Sequence, residues 1–133
     1  MAKFSLRRVH KDLNPLKDLY SQGELAALSK HGTIIDIAPG ENLMEEGTEG
    51  SEVAIIVEGQ ARISENGNFI SNAEAGDILG DQAVLNNATR RASVFAVTVL
   101  KISVLNVEAF ANTLKESTDF RHRLDAQIQS RAA

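Results

Sequence analysis

The chain has 133 residues, 43% of them apolar and 24% charged, and no cysteine. That is the length of one domain, enough to bury a core without a metal or disulfide staple, and the lack of cysteine excludes a disulfide scaffold, a thiolate metal site and a cysteine nucleophile together. With 14 Lys+Arg against 18 Asp+Glu the net charge is −4, opposite to the basic balance expected of a general nucleic-acid binder.

The longest apolar run, Val53 to Val57, is far short of the roughly 20 residues that a spanning helix needs. Met1 to Arg8 is basic, but no apolar stretch follows it as a secretory signal requires. A cytoplasmic domain is expected, with neither a membrane nor a nucleic acid as partner.

Both ends read as helix and the middle as strand. Leu6, Val9 and Leu13 recur at helical spacing, and Asn14-Pro15 closes that segment. Ser21-Gln22-Gly23-Glu24 has the form of a capping box: the serine accepts from an N–H three residues on, and the glutamate reaches back. Leu25 and Leu28 follow on one face, and Gly32 is the expected stop.

From Thr33 to Leu105 short β-branched runs alternate with turn residues. Strands are predicted at 33–37, 42–45, 53–58, 60–64, 68–73, 92–98 and 100–105. Asn66-Gly67 is a hairpin signal, because both turn positions need positive φ. Ile55, Ile56 and Val57 show no polar alternation, so their strand is expected to be buried on both faces.

Helix returns after Asn106, an N-cap with Glu108 in the first turn. Val107, Phe110 and Leu114 make one apolar stripe, and Phe120, Leu124 and Ile128 make another. Ser117-Thr118-Asp119 lies between them as break and cap. The predicted architecture is one domain over 1–133, mainly β with flanking helices. N-terminal helices occupy 1–32, a jelly-roll β-sandwich (a double-stranded β-helix) occupies 33–105, and two C-terminal helices occupy 106–131.

Residues 75–94 read as more than structure. Gly80 ends a strand, and Asp81 to Leu85 makes about one turn of helix, whose free N–H groups attract an anion. Arg90-Arg91 follow a polar loop and run into an apolar strand, where a guanidinium fork can meet a phosphate from the other side. One reading is a phosphate between backbone donors and Arg90, with Asp81 accepting from a hydroxyl. The other is a solvated arginine pair beside a turn.

The chain from Leu25 to Leu124 resembles a cyclic-nucleotide-binding domain, the module of catabolite activator protein, protein kinase A regulatory subunits and cyclic-nucleotide-gated channels. The resemblance rests on a glycine frame: Ile37-Ala38-Pro39-Gly40-Glu41, Glu46-Gly47, and Val53 to Ile63 through Gly59. It rests also on a phosphate-binding cassette spanning 79–93. The family pattern F-G-E-x-A-L, then R-x-A-(S/T)-V, is matched by Leu79-Gly80-Asp81-Gln82-Ala83-Val84 and Arg90-Arg91-Ala92-Ser93-Val94.

The resemblance implies that Arg90 pairs with the cyclic phosphate, that the N–H groups of Gln82 and Ala83 complete the cradle, and that Gly80 permits close approach. Asp81 stands where the family has a glutamate for the ribose 2′-OH, one methylene shorter. Ser93 stands near the base, and Arg91 takes a position that is commonly small. The helix from Thr118 to Ser130 resembles the lid that closes over the nucleotide, a segment expected to shift easily. The implied function is a stand-alone cAMP or cGMP sensor that moves its terminal helices to act on a protein partner or effector domain. The alternative is a degenerate, nucleotide-free jelly-roll interaction module.

Catalysis is not expected. A cupin-type metal site needs clustered histidines, but His10, His31 and His122 lie outside the predicted strands. No nucleophile elbow is present. Residues 106–133 are taken up by the end helices, which leaves no helix-turn-helix DNA reader.

Overall fold

The apolar run Val53 to Val57 decides the layering of the molecule. All five residues are fully buried, with Val53, Ile55 and Val57 in one core cluster and Ala54 and Ile56 in another. Successive strand residues point to opposite faces, so this strand lies in a middle layer with a core on each side.

The computed structural model describes residues 9–10 and 12–132. Its strands are β1 (Val9–His10), β2 (Thr33–Ile37), β3 (Asn42–Met44), β4 (Glu52–Glu58), β5 (Gln60–Glu65), β6 (Asn68–Glu74), β7 (Ile78–Leu79), β8 (Ser93–Ala96) and β9 (Leu100–Asn106). Its helices are α1 (Gln22–His31), α2 (Asp81–Leu85), α3 (Val107–Glu116) and α4 (Thr118–Ala132). Two antiparallel sheets form, in the orders β1-β2-β9-β4-β7 and β3-β8-β5-β6. The first sheet packs one face on the second sheet and the other on α1, α3 and α4, which is the expected β-sandwich with flanking helices. Among the described residues no helix is long and apolar enough to cross a membrane.

Local signals are realised where they were read. Ser21 Oγ accepts from Glu24 N–H at 3.2 Å, and Glu24 Oε1 accepts from Ser21 N–H at 2.8 Å. Asn66 and Gly67 take φ of 53° and 79° and join β5 to β6. Asn106 Oδ1 accepts from Ala109 N–H at 2.8 Å, and Ser117 Oγ caps α4 through Phe120 N–H at 3.1 Å. Gly32 ends α1 in extended rather than left-handed backbone. Its requirement is space, because a Cβ there would press on Ser103 Oγ and lie 3.0 Å from Leu28 O.

Two expectations are corrected. The first helical stripe began in residues outside the described ones, and Val9–His10 is strand, paired with Ile35 and Ile34. Asn14–Leu16 begins a 3-10 turn with proline at its start, which Leu16, fully buried, ties to the core. In α3, Val107 is 54% exposed while Thr113 is buried; the Thr113 hydroxyl satisfies itself on Ala109 O at 2.8 Å. In the last helix, Phe120 and Leu124 are buried in the main core beside Leu16, Tyr20 and Phe110, the docked arrangement of that segment.

Candidate functional site

The cassette is built around one buried arginine. Arg90 is 8% exposed. Its Nη1 donates to Gly80 O at 3.0 Å and its Nη2 to Glu52 O at 2.7 Å. Its main chain is clamped as well: Arg90 N–H donates to Thr48 O at 2.7 Å, and Arg90 O accepts from Gly47 N–H at 2.9 Å. The guanidinium is therefore fixed against the end of β7 and the start of β4 before any ligand arrives.

Gly80 is required twice. It caps α2 with φ +83°, a left-handed conformation that costs glycine little. A Cβ at this position would also run into Arg90 Nη1 and stand 2.7 Å from Met44 Cε. The chain then turns into α2, whose first N–H groups, including those of Gln82 and Ala83, have no acceptor within the helix.

Burial lowers the Arg90 pKa from the ordinary guanidinium value, and the pull of Glu52 and Asp81 opposes that. Arginine remains charged throughout the working range. Burial likewise raises the Glu52 carboxyl above the usual range. Among the described residues no carboxylate lies within ion-pair distance of Arg90; carbonyl dipoles hold it instead.

A cavity of about 300 Å³ opens beside this arginine, at the lower end of the roughly 300–1,000 Å³ that small-molecule sites occupy. One end is formed by Gly80, Asp81, Gln82, Ala83 and Arg90, the floor by Met44, Ile63, Leu79 and Val94, and the rim by Glu65, Ile70, Ser71 and Arg91. The structure thus brings six of the seven predicted site residues to one cavity: Gly80, Asp81, Gln82, Ala83, Arg90 and Arg91. Ser93 is not on its wall. The Ser93 hydroxyl accepts from Glu46 N–H at 3.0 Å and so fastens the loop after β3.

Sequence reasoning missed the floor and rim. Ile63 and Glu65 share a face of β5 with Ala61, a period-two signal that was available. Ile70 and Ser71 come into reach only through the hairpin register, which shifts between Ile63 and Ser64. No residue of α4 is among those lining the cavity; α4 packs on the helix side of the five-stranded sheet. Among the described residues no group of His, Asp and Glu is placed to hold a metal ion.

The site is thus a glycine-capped turn on a β-sandwich, a buried arginine bonded to that turn, and a cavity beside both. The model of the family described as Cyclic nucleotide-binding domain matches residues 34–117, and the chain belongs to that family. It is 31% identical over 109 residues to the cAMP-dependent protein kinase regulatory subunit of Mycosarcoma maydis, covering 75% of this chain and 21% of that protein. It is 34% identical over 71 residues to the cGMP-dependent protein kinase egl-4 of Caenorhabditis elegans, covering 53% of this chain and 9% of the kinase. The chain therefore matches only a small part of the length of these curated relatives.

Among solved structures it is similar to PKAR CBD2 with Sp-2Cl-cAMPS bound, with a TM-score of 0.69, 26% identity and coverage of 90% of this chain and 82% of that one. The fold is also that of the Thermus thermophilus catabolite activator protein, with a TM-score of 0.74, 21% identity and coverage of 90% and 58%.

Proposed function

We propose that this domain binds a 3′,5′-cyclic purine nucleotide, cAMP or cGMP, in the cavity beside Arg90, and acts as a regulatory module without chemistry of its own. The observation that carries the reading is Arg90: a buried cation seated on two carbonyls, one of them that of Gly80 at the start of α2, with N–H groups remaining for a ligand beside a preformed cavity. A monoanionic cyclic phosphate supplies the charge that Gly80 O and Glu52 O do not. The Gln82 and Ala83 N–H groups donate to it from the other side, and Asp81 stands toward the ribose 2′-OH, one methylene short of the family glutamate. The apolar floor of Ile63 and Val94 takes the sugar and base. Arg91, at the rim, faces the open end. The binding event is passed to a protein partner or an attached effector domain.

Isothermal titration of the protein with cAMP and cGMP tests this. The expected result is saturable one-to-one binding of at least one of them, lost in Arg90→Ala. Absence of binding by both overturns the reading in favour of a nucleotide-free interaction module on the same scaffold.

A further inference from the structure

The phosphate cradle follows directly from β7, the outer strand of its sheet among the described residues: Ile78, Leu79, Gly80 and Asp81 are consecutive. Ile56 N–H donates to Asp77 O at 3.0 Å, so by the alternation of antiparallel ladders the peptide groups of Ile78 turn the other way, off the sheet edge. Such an edge normally meets water or another strand. Here it meets a side chain of α4. Ile78 N–H donates to Gln127 Oε1 at 3.1 Å, and Gln127 Nε2 donates to Ile78 O at 3.0 Å. One carboxamide supplies both the acceptor and the donor that a neighbouring strand would supply.

The helix that presents Gln127 is fixed along its length. Phe120 and Leu124 are buried in the main core, and Arg123 is bonded to Glu24 and to Leu19 O. The Ile78 peptide is therefore referenced to a rigid helix. Two residues later the Gly80 carbonyl receives Arg90. A displacement of α4 along its axis moves the Ile78 main chain, and with it the seat of Arg90 and the N–H groups that begin α2.

We infer that Gln127 is a positioning residue for the phosphate cradle, setting the place of residues 79–83 from the helix side of the sheet without touching the cavity. Its consequence for affinity rests on the nucleotide reading above; its consequence for the cradle does not.

Gln127→Leu keeps the side-chain volume and removes both bonds. Amide hydrogen exchange in the ligand-free protein is the first readout: exchange at residues 79–83 speeds by about tenfold while Ile55 and Ile102 in the central strands change little. Titration is the second: affinity for cAMP or cGMP falls by about three- to thirtyfold. Ile128→Ala, which loosens α4 through packing alone, is the control; at equal loss of melting temperature it leaves the cradle amides closer to wild type. Unchanged exchange at 79–83 in Gln127→Leu overturns the inference whether or not a nucleotide binds. The same local loosening in Ile128→Ala also overturns it, since any weakening of α4 then suffices. Faster cradle exchange in a protein that binds neither nucleotide supports the positioning role and overturns the nucleotide reading.

Discussion

Arg90 and Arg123 occupy opposite sides of the five-stranded sheet and solve burial differently. Arg123 meets its counter-charge: Nε and Nη2 bond the two oxygens of Glu24 at 2.7 and 3.0 Å, Nη2 also reaches Leu19 O at 2.6 Å, and the guanidinium lies 3.7 Å over the Tyr20 ring. Its pKa is raised, first by the Glu24 bond and against the cost of burial. Among the described residues the guanidinium of Arg90 bonds to carbonyls, and burial lowers its pKa against the pull of Glu52 and Asp81. A buried charge that is matched locally holds a fold together. One that is seated on carbonyls fits the anion site proposed above, and perturbed groups of that kind concentrate at functional sites.

The contrast can be broken most sharply at Arg90. Arg90→Ala is expected to weaken nucleotide binding by about 2–5 kcal/mol, or about thirtyfold to several thousandfold by calorimetry. A surface arginine would leave stability untouched, but this one satisfies two carbonyls. Urea unfolding is therefore expected to show a further loss of about 1–3 kcal/mol. Undiminished affinity would remove the distinction between the two arginines.

Arg123→Ala is expected to act on stability. Glu24 is 1% exposed and would be left as an uncompensated buried carboxylate. Since the guanidinium side is 31% exposed, the cost belongs near the lower end of the range of about 3–5 kcal/mol for a broken buried pair. Arg123→Lys keeps the charge without the fork and recovers only part of it. A melting temperature within a degree or so of wild type, which for a domain of this length is a few tenths of a kcal/mol, would show that Glu24 is solvated after all.

Asp81 gives a smaller effect. Asp81→Glu restores the longer carboxylate and is expected to tighten binding by up to about tenfold. The 2′-deoxy nucleotide then binds wild type nearly as well as the parent and binds the variant less well. A large penalty for the deoxy analogue on wild type would mean that Asp81 already reaches the 2′-OH.

The smallest effect tests the helix side by pH. Glu116 joins α3 to α1 through His31 Nε2 at 2.8 Å and Lys30 Nζ at 3.4 Å. The His31 hydrogen bond, then the one from Lys30, holds its carboxyl below the usual range. A depressed folded value means stabilisation that is present above the unfolded pKa of about 4.3 and lost as pH falls through the folded value. Melting curves of wild type and Glu116→Gln are expected to differ slightly at neutral pH and to converge in acid. A constant difference down to the acid end would assign the contact no electrostatic part.

Much of the scaffold was legible because its signals are local. The capping box at Ser21, the Asn66-Gly67 turn and the strand β2 at Thr33–Ile37 each depend on φ/ψ preference or period-two patterning within a few residues. Val9 was misread because three apolar residues at i, i+3 and i+7 fit a helix, and pairing with Ile35 overrode that fit. Val107 was misread because a stripe of three does not say where the helix meets its neighbours. In the site, the contiguous residues Gly80 to Ala83 and Arg90 to Arg91 were legible as a run. Ser93 was not, since the N–H that claims its hydroxyl belongs to Glu46, 47 residues away.

What the sequence determined by itself was therefore most of the elements from Gln22 onward and the residue types along 80–91: a glycine free to turn left-handed, a short helix start, and a fork of donors after a polar loop. Only the tertiary structure decided which groups those donors meet. The seats of Arg90 are the carbonyls of Gly80 and Glu52, and the partner of Gln127 is the main chain of Ile78. Main-chain groups are chemically alike at nearly every position, so sequence does not single them out. Sheet register and helix docking select them, by bringing one carbonyl rather than another to within about 3 Å of a donor.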